Sequence, residues 1–382
     1  MAELPVGDIA AAQAEPRKKR RPLVHAIQIL VSVAIIVGVF VYAIPKLADY
    51  SKVWDAITGL SLGQVLALIG VTAFNIVSYW PQMVGSLPGL TMPQAAVNNQ
   101  SSTTVANTVP GGGFIANGVT IGMYHAWGFT GAEIGLSLML TAIWNSFIKL
   151  GLPVVAVLCL VIVGDATSAF LVPAVIGLVA LIGVVLLFAL GLWRRAFARR
   201  IGQMLGTAVS FVRGVLKRPP VQDWGEAAVR FRKRTLRVVI RRWVALTISS
   251  VVSHLGLYAV LLLSLRFAGV SGAEVSWAQV LAVFAFGRLL TALPLTPGGL
   301  GVVELAYIGG IVLAGRHHLT VPLAEFKAQV AAGVLMFRAL TYGAQIPLGV
   351  ITYVVFRAKK SWRKEVPPHE AHPAVAAAPI PT

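Results

Sequence analysis

Along most of the chain, apolar residues come in unbroken runs. They show neither the alternation of a half-buried strand nor the one-sided stripe of a soluble helix. Runs over residues 23–44, 62–84, 134–163, 169–193, 244–267 and 324–356 each reach the roughly 20 residues a helix needs to cross about 30 Å of hydrocarbon. The runs at 114–127, 275–293 and 305–314 are shorter. Residues 45–60 place Leu47, Tyr50, Trp54 and Ile57 on one helical face, the pattern of a helix lying at a membrane surface. The pattern predicts an all-α polytopic membrane protein, because the strands of a transmembrane barrel would alternate instead.

One stretch breaks the apolar pattern. Residues 91–109 carry Asn98, Asn99, Gln100, Ser101, Ser102, Thr103, Thr104, Asn107 and Thr108. No lipid-facing helix tolerates so many amides and hydroxyls, since each unsatisfied group costs several kcal/mol in hydrocarbon. This helix is expected to be enclosed by protein or to line a wet cavity. Pro110-Gly111-Gly112-Gly113 follows it directly.

Composition sharpens the class. Of 382 residues, 57% are hydrophobic and 12% charged, where a soluble domain carries about 25% charged residues, so a soluble globular enzyme is excluded. The single cysteine, Cys159, excludes a disulfide-stapled secreted protein. The net charge of +18 would suit nucleic acid, but its placement argues otherwise: 24 of the 32 Lys and Arg lie in three blocks, 17–21, 194–242 and 357–364, that flank apolar segments. That is the positive-inside signature, with attraction to anionic lipid. The reading is therefore membrane lipids as partners and no nucleic acid. The chain divides into a disordered basic cytoplasmic tail (1–22), a first transmembrane helix with an interfacial helix (23–61), a membrane repeat (62–193), a basic amphipathic cytoplasmic segment (194–242), a second membrane repeat (243–357) and a disordered cytoplasmic tail (358–382). Trp54, Trp80, Trp127, Trp193, Trp243, Trp277 and Trp362 near segment ends read as an interfacial belt.

The two repeats emerge from a shift of 187 residues. It aligns Pro110-Gly111-Gly112 with Pro297-Gly298-Gly299, Ile121-Gly122 with Ile308-Gly309, and Gly128 with Gly315. With basic loops inside, the unit around Pro110 enters and leaves on the cytoplasmic side and the unit around Pro297 on the outer side. The expectation is two inverted-topology repeats, each with a Pro-Gly-Gly-broken helical hairpin, an architecture that secondary transporters use with substrate near the repeat interface. Helices starting at the two prolines would present free N–H groups to a phosphate or carboxylate; a tight packing turn that binds nothing is the plainer alternative.

The runs Thr108-Val109-Pro110-Gly111-Gly112-Gly113 and Thr296-Pro297-Gly298-Gly299-Leu300-Gly301-Val302-Val303-Glu304 resemble the lysylphosphatidylglycerol synthase transmembrane-region family, also called flippase-like, over roughly residues 25–357. The resemblance implies a bacterial inner-membrane protein that moves an anionic or aminoacylated lipid between leaflets; a polyprenyl-phosphate glycolipid is an alternative cargo. No aminoacyl-transferase domain is expected after Phe356, so lipid lysinylation is not.

Ionisable residues inside spans are costly and mark function by default. Lys149, Arg288, Glu304, Arg338 and His254 meet that description. Snorkelling is the alternative for Lys149 and Arg338, and a hydrogen-bonded packing role is the expectation for His254. Arg288 and Glu304 flank Pro297 at similar helical distances and are expected to pair, with Ser101 and Asn117 at the matching positions of the first repeat. Asp165, Glu133, Glu274, Arg266, Arg316, His317 and His318 fall near helix ends and read as solvated. The candidate substrate-binding set is thus Asn98, Asn99, Asn107, Thr108, Pro110, Gly111, Gly112, Lys149, Arg288, Thr296, Pro297, Gly298, Gly299, Glu304 and Arg338. No catalytic residue, metal site or cofactor is expected, since no Walker A motif, zinc-ligand spacing or nucleophile elbow occurs. The leading reading is a lipid flippase or related transporter. The alternatives are a lipid-phosphate-dependent glycosyltransferase, which would need acidic residues in a sizeable aqueous loop, and a membrane scaffold docking a cytoplasmic enzyme through residues 194–242; an oligomer is compatible with each.

Overall fold

A computed structural model describes residues 50–109, 111–165, 168–215, 223–291 and 296–362. The expected first span and both terminal tails lie outside the described residues apart from the last few before 362, as does Pro110. Thirteen α-helices occur among the described residues, with no strand. They are α1 Tyr50–Thr58, α2 Leu62–Ser78, α3 Trp80–Ser86, α4 Met92–Thr108, α5 Gly112–Ala126, α6 Gly131–Val163, α7 Ser168–Trp193, α8 Arg195–Val215, α9 Trp224–Phe267, α10 Trp277–Leu290, α11 Val302–Gly315, α12 Leu323–Arg338 and α13 Gln345–Ala358. A 3-10 turn at Pro297–Gly299 precedes α11, and a π-helical turn at Ala339–Gly343 joins α12 to α13. The chain is thus an all-α polytopic membrane protein: five segments, Leu62–Ser86, Gly131–Val163, Val175–Trp193, Trp224–Phe267 and Leu323–Ala358, are long and apolar enough to span.

Sequence fixes where these helices begin. Reciprocal capping boxes start α2 (Ser61 with Gln64), α4 (Thr91 with Gln94), α6 (Thr130 with Glu133) and α10 (Ser276 with Gln279), satisfying N–H groups that the first turn leaves free. Residues 224–242 and 243–267, expected as separate segments, form one helix, because only Gly225 and Gly256 interrupt good helix formers and neither is at the junction. At about 1.5 Å per residue α9 is roughly 66 Å long, so its basic first half extends beyond the bilayer. There it packs on amphipathic α8, tied by Arg199 to Glu226 at 2.5 Å, and Arg242 donates to the carbonyl of Val84 at 3.1 Å.

The two broken hairpins insert from opposite ends of the bundle. At the C-terminal end of α5, Trp127 packs edge-on against Phe356 and Trp362, at the α13 terminus and the basic end. Trp127 is therefore an internal packing residue, only 2% exposed, rather than part of an interfacial belt. At the far end, the α10 cap Ser276 donates to Asp165, just past α6, and Thr320 before α12 donates to Glu274. The legs α10 and α11 have 14 residues each, about 21 Å of helix, shorter than the roughly 30 Å of hydrocarbon, so the hairpin turns back within the membrane. The cross-packing is reciprocal: α4 of the first hairpin runs along α13, and α10 of the second runs along α6.

Two carboxylates expected in solvent are buried instead. Glu133 caps α6 at 2% exposure, and Glu274 is 1% exposed. Glu274 accepts from the backbone and hydroxyl of Ser271 and from those of Thr320, four hydrogen bonds that join two loops at the distal end. Burial alone would raise the Glu274 carboxyl, but these donors outweigh it and hold the group below the ordinary carboxylate value. A depressed folded-state pKa stabilises above the unfolded value and is lost as pH falls through the folded one. The transition temperature of the purified protein is therefore expected to fall on acidification with a contribution from this group, and Glu274→Ala to lower it at pH 7 by the equivalent of about 1–3 kcal/mol while flattening that acid dependence. Equal acid sensitivity in the variant and wild type would show that Glu274 contributes nothing to it.

Candidate functional site

The polar helix α4 packs along α13 through side-chain hydrogen bonds. Thr104 donates to the carbonyls of Gln345 and Ile346 at 2.9 and 3.2 Å, and Ser101 shares a 3.1 Å bond with Thr352. Close approach is needed for this, and Gly349 supplies it: a Cβ there would lie 1.8 Å from the Thr104 hydroxyl oxygen and 2.4 Å from the Gln100 carbonyl. On the side toward α5, Asn98 is fully buried and accepts from Thr120 at 3.2 Å, leaving its amide nitrogen without a partner. Asn99 is half-buried and Thr108 exposed, the latter donating back to the Thr104 carbonyl at 2.8 Å. Ser101 thus bonds across to α13 and not to Asn117, which is exposed.

The two breaks differ in local geometry. Gly111 caps α5 in the left-handed region at φ 67°, and Gly112 is buried so tightly that a Cβ would sit 2.4 Å from the Val105 carbonyl. This turn satisfies itself, with Gly112 donating to Val109 at 2.8 Å. The second break uses Gly298 at φ 56°, with Thr296 buried and donating to the Leu300 carbonyl at 2.8 Å. A Cβ on Gly298 would lie 2.3 Å from the Tyr342 ring and 2.9 Å from the side-chain oxygen of Asn107. The Pro297 turn of the second hairpin therefore meets the last turn of α4 in the first, and both meet the π-helical turn carrying Tyr342.

An ion pair fastens this junction. Glu304, fully buried at the third position of α11, accepts from the Gly301 N–H at 2.7 Å and from Arg338 Nε at 2.6 Å. Arg338 also donates to the Gly298 carbonyl at 3.1 Å, and its guanidinium lies 4.6 Å above the Tyr342 ring. Tyr342 in turn donates to the Asn107 carbonyl at 2.5 Å. Glu304 thus pairs with Arg338, not with Arg288. The reason is rotational. On α10, Gly287 faces α11, where a Cβ would strike the Tyr307 ring at 2.1 Å, and the next residue is turned about 100° away.

Arg288 joins a second group on three mutually packed helices, with Lys149 of α6 and His254 of α9, near enough to act electrostatically on both. Lys149 and Arg288 are half-buried, and among the described residues neither donates a hydrogen bond or meets a carboxylate; the Arg288 Nε is itself buried without a partner. Counting from the distal ends of their helices, Lys149, Arg288 and His254 lie about 21, 16 and 20 Å deep, and Glu304 about 16 Å. All four thus lie at similar depths from the distal helix ends, about half or more of a roughly 30 Å hydrocarbon core. Of the expected site residues, the structure brings Asn107, Gly298, Glu304 and Arg338 into one assembly and Lys149 and Arg288 into another, while Asn98, Asn99 and Thr108 stand apart along α4. Tyr342, Gly349 and Tyr307 were not anticipated; a tyrosine and a glycine within an apolar run carry no signal until the partner helix is known.

A bundle of apolar spans, two glycine-broken hairpins and buried charges within them defines a polytopic α-helical membrane protein with a polar interior. The chain belongs to the family described as the lysylphosphatidylglycerol synthase TM region, whose model matches residues 29–349. A search of curated proteins gave no match. Family membership ties the chain to membrane lipids.

Proposed function

We propose that this protein is a flippase or related transporter that moves an anionic, aminoacylated or polyprenyl-phosphate-linked lipid across the bacterial inner membrane, with both termini cytoplasmic. The observation that carries this reading is the pair Lys149 and Arg288, two cations at mid-depth without an acidic partner among the described residues. Unpaired charges in spans are expensive, and Glu304, the acid at the same depth, is already committed to Arg338 and Gly301. An anionic headgroup would compensate them. Oppositely directed broken hairpins and their reciprocal packing support the inverted-repeat arrangement, in which the headgroup passes between the repeats while its chains stay in lipid.

Lys149→Met combined with Arg288→Met tests the reading in vesicles carrying a fluorescent anionic lipid and an impermeant reductant that bleaches the outer leaflet. Wild-type protein is expected to expose nearly all of the lipid. The double variant is expected to lose most of that movement while keeping the wild-type transition temperature or exceeding it, because two unpaired charges have been removed. Movement at the wild-type rate in the double variant would refute the headgroup role.

A further inference from the structure

The third member of the cation cluster narrows the headgroup. His254 is 1% exposed, and its Nδ1 lies 2.9 Å from the carbonyl of Ser250. A carbonyl only accepts, so Nδ1 carries the proton and Nε2 of the neutral ring is a lone-pair acceptor. That Nε2 is buried with no hydrogen-bond partner. The Tyr79 ring stands 6.5 Å from the imidazole, and the charged groups acting on it are Arg288 and Lys149, with no carboxylate among them. The cluster therefore lacks two things at once: negative charge for two cations, and a hydrogen-bond donor placed on one buried acceptor.

Resting on the lipid-headgroup reading above, we infer that the cluster of Lys149, Arg288 and His254 recognises a lipid phosphomonoester, with the P–O⁻ oxygens on the two cations and a P–OH donated to Nε2 of His254. A phosphomonoester supplies both, since its second proton leaves near pH 6 and it carries between one and two negative charges at neutral pH. A phosphodiester has a single negative charge and no P–OH. A lysyl-esterified headgroup adds ammonium groups that Lys149 and Arg288 repel. The discrimination follows the general rule that a site with a buried polar group rejects an analogue that cannot pair with it.

The test is calorimetric titration of the full chain in phosphatidylcholine nanodiscs at pH 7 with farnesyl phosphate, farnesyl methyl phosphate and inorganic phosphate. Farnesyl phosphate is expected to bind at least about tenfold more tightly than its methyl ester, the size of one buried hydrogen bond. It is also expected to bind more tightly than inorganic phosphate, which lacks the chain. In His254→Phe the ratio of monoester to diester affinity is expected to fall close to one; His254→Gln, which offers an amide oxygen at a similar reach, keeps part of it and serves if the phenylalanine variant does not fold. Equal affinity of the two farnesyl esters for the wild type overturns the inference, and that comparison needs no variant. Inorganic phosphate binding as tightly as farnesyl phosphate overturns the lipid source. The vesicle assay, run with a fluorescent polyprenyl phosphate as well as a fluorescent phosphatidylglycerol, fails separately: a protein that discriminates the esters but moves neither lipid would overturn transport and leave this site standing.

Discussion

Replacing Arg338 with alanine is expected to leave little folded protein. The substitution strands a fully buried carboxylate, Glu304, at mid-membrane depth with the Gly301 N–H as its remaining donor. Breaking a buried pair from one side costs about 3–5 kcal/mol, a large part of a total stability of roughly 5–15 kcal/mol. It also frees the Gly298 carbonyl and the Tyr342 ring, the contacts that join the second break to α4 and the π-helical turn. Glu304→Gln is expected to be milder, because the guanidinium keeps those two contacts and is partly exposed at 13%. The double variant Arg338→Met, Glu304→Met is expected to recover part of the loss, since an apolar pair leaves no charge uncompensated. Yield and transition temperature in detergent decide it: Arg338→Ala as stable as wild type, or a double variant no better than Arg338→Ala, would mean the pair does not hold the junction.

Much of this fold is written in hydropathy, and much of the site is not. Run length gave the spans at 62–84, 134–163, 169–193 and 324–356 to within a few residues, because hydrocarbon thickness sets that length. The broken hairpins were visible because proline and glycine act locally. Partner choice was invisible, as Arg288 shows: equal depth made Glu304 its apparent partner, but depth says nothing of azimuth, and Gly287 turns Arg288 away from α11. Glu274 misled in the other direction. A carboxylate near a helix end normally meets water, and only the tertiary meeting with Thr320, 46 positions later, removes it. In the polar stretch at 98–108, Asn98, Gln100, Ser101 and Asn107 are buried while Thr108 is exposed, and which of its side chains are spent on packing depends on α13, about 240 residues away in sequence.

That last dependence makes Gly349 the most sensitive small residue in the structure. Gly349→Val is expected to separate α4 from α13. Its Cβ would overlap both the Thr104 hydroxyl, at 1.8 Å, and the backbone carbonyl of Gln100, at 2.4 Å. The hydroxyl can rotate away only by giving up the Gln345 and Ile346 carbonyls, and the carbonyl can move only with the helix. Overpacking of this kind typically costs about 1–3 kcal/mol, and the polar groups it exposes to hydrocarbon add to that. The effect should exceed that of Thr104→Ala, which loses hydrogen bonds worth about 0.5–1.5 kcal/mol without forcing the helices apart. Adding Thr104→Ala to Gly349→Val is expected to rescue only partly, because the Gln100 carbonyl still blocks the new side chain. Full rescue by Thr104→Ala would place the whole obstruction in one hydroxyl, and a wild-type transition temperature for Gly349→Val alone would show that the two helices do not need to approach this closely. Since Asn107 lies on the same helix, one turn beyond Thr104 and against Gly298, a displaced α4 also loosens the meeting of the two breaks, so lipid movement is expected to fall together with stability.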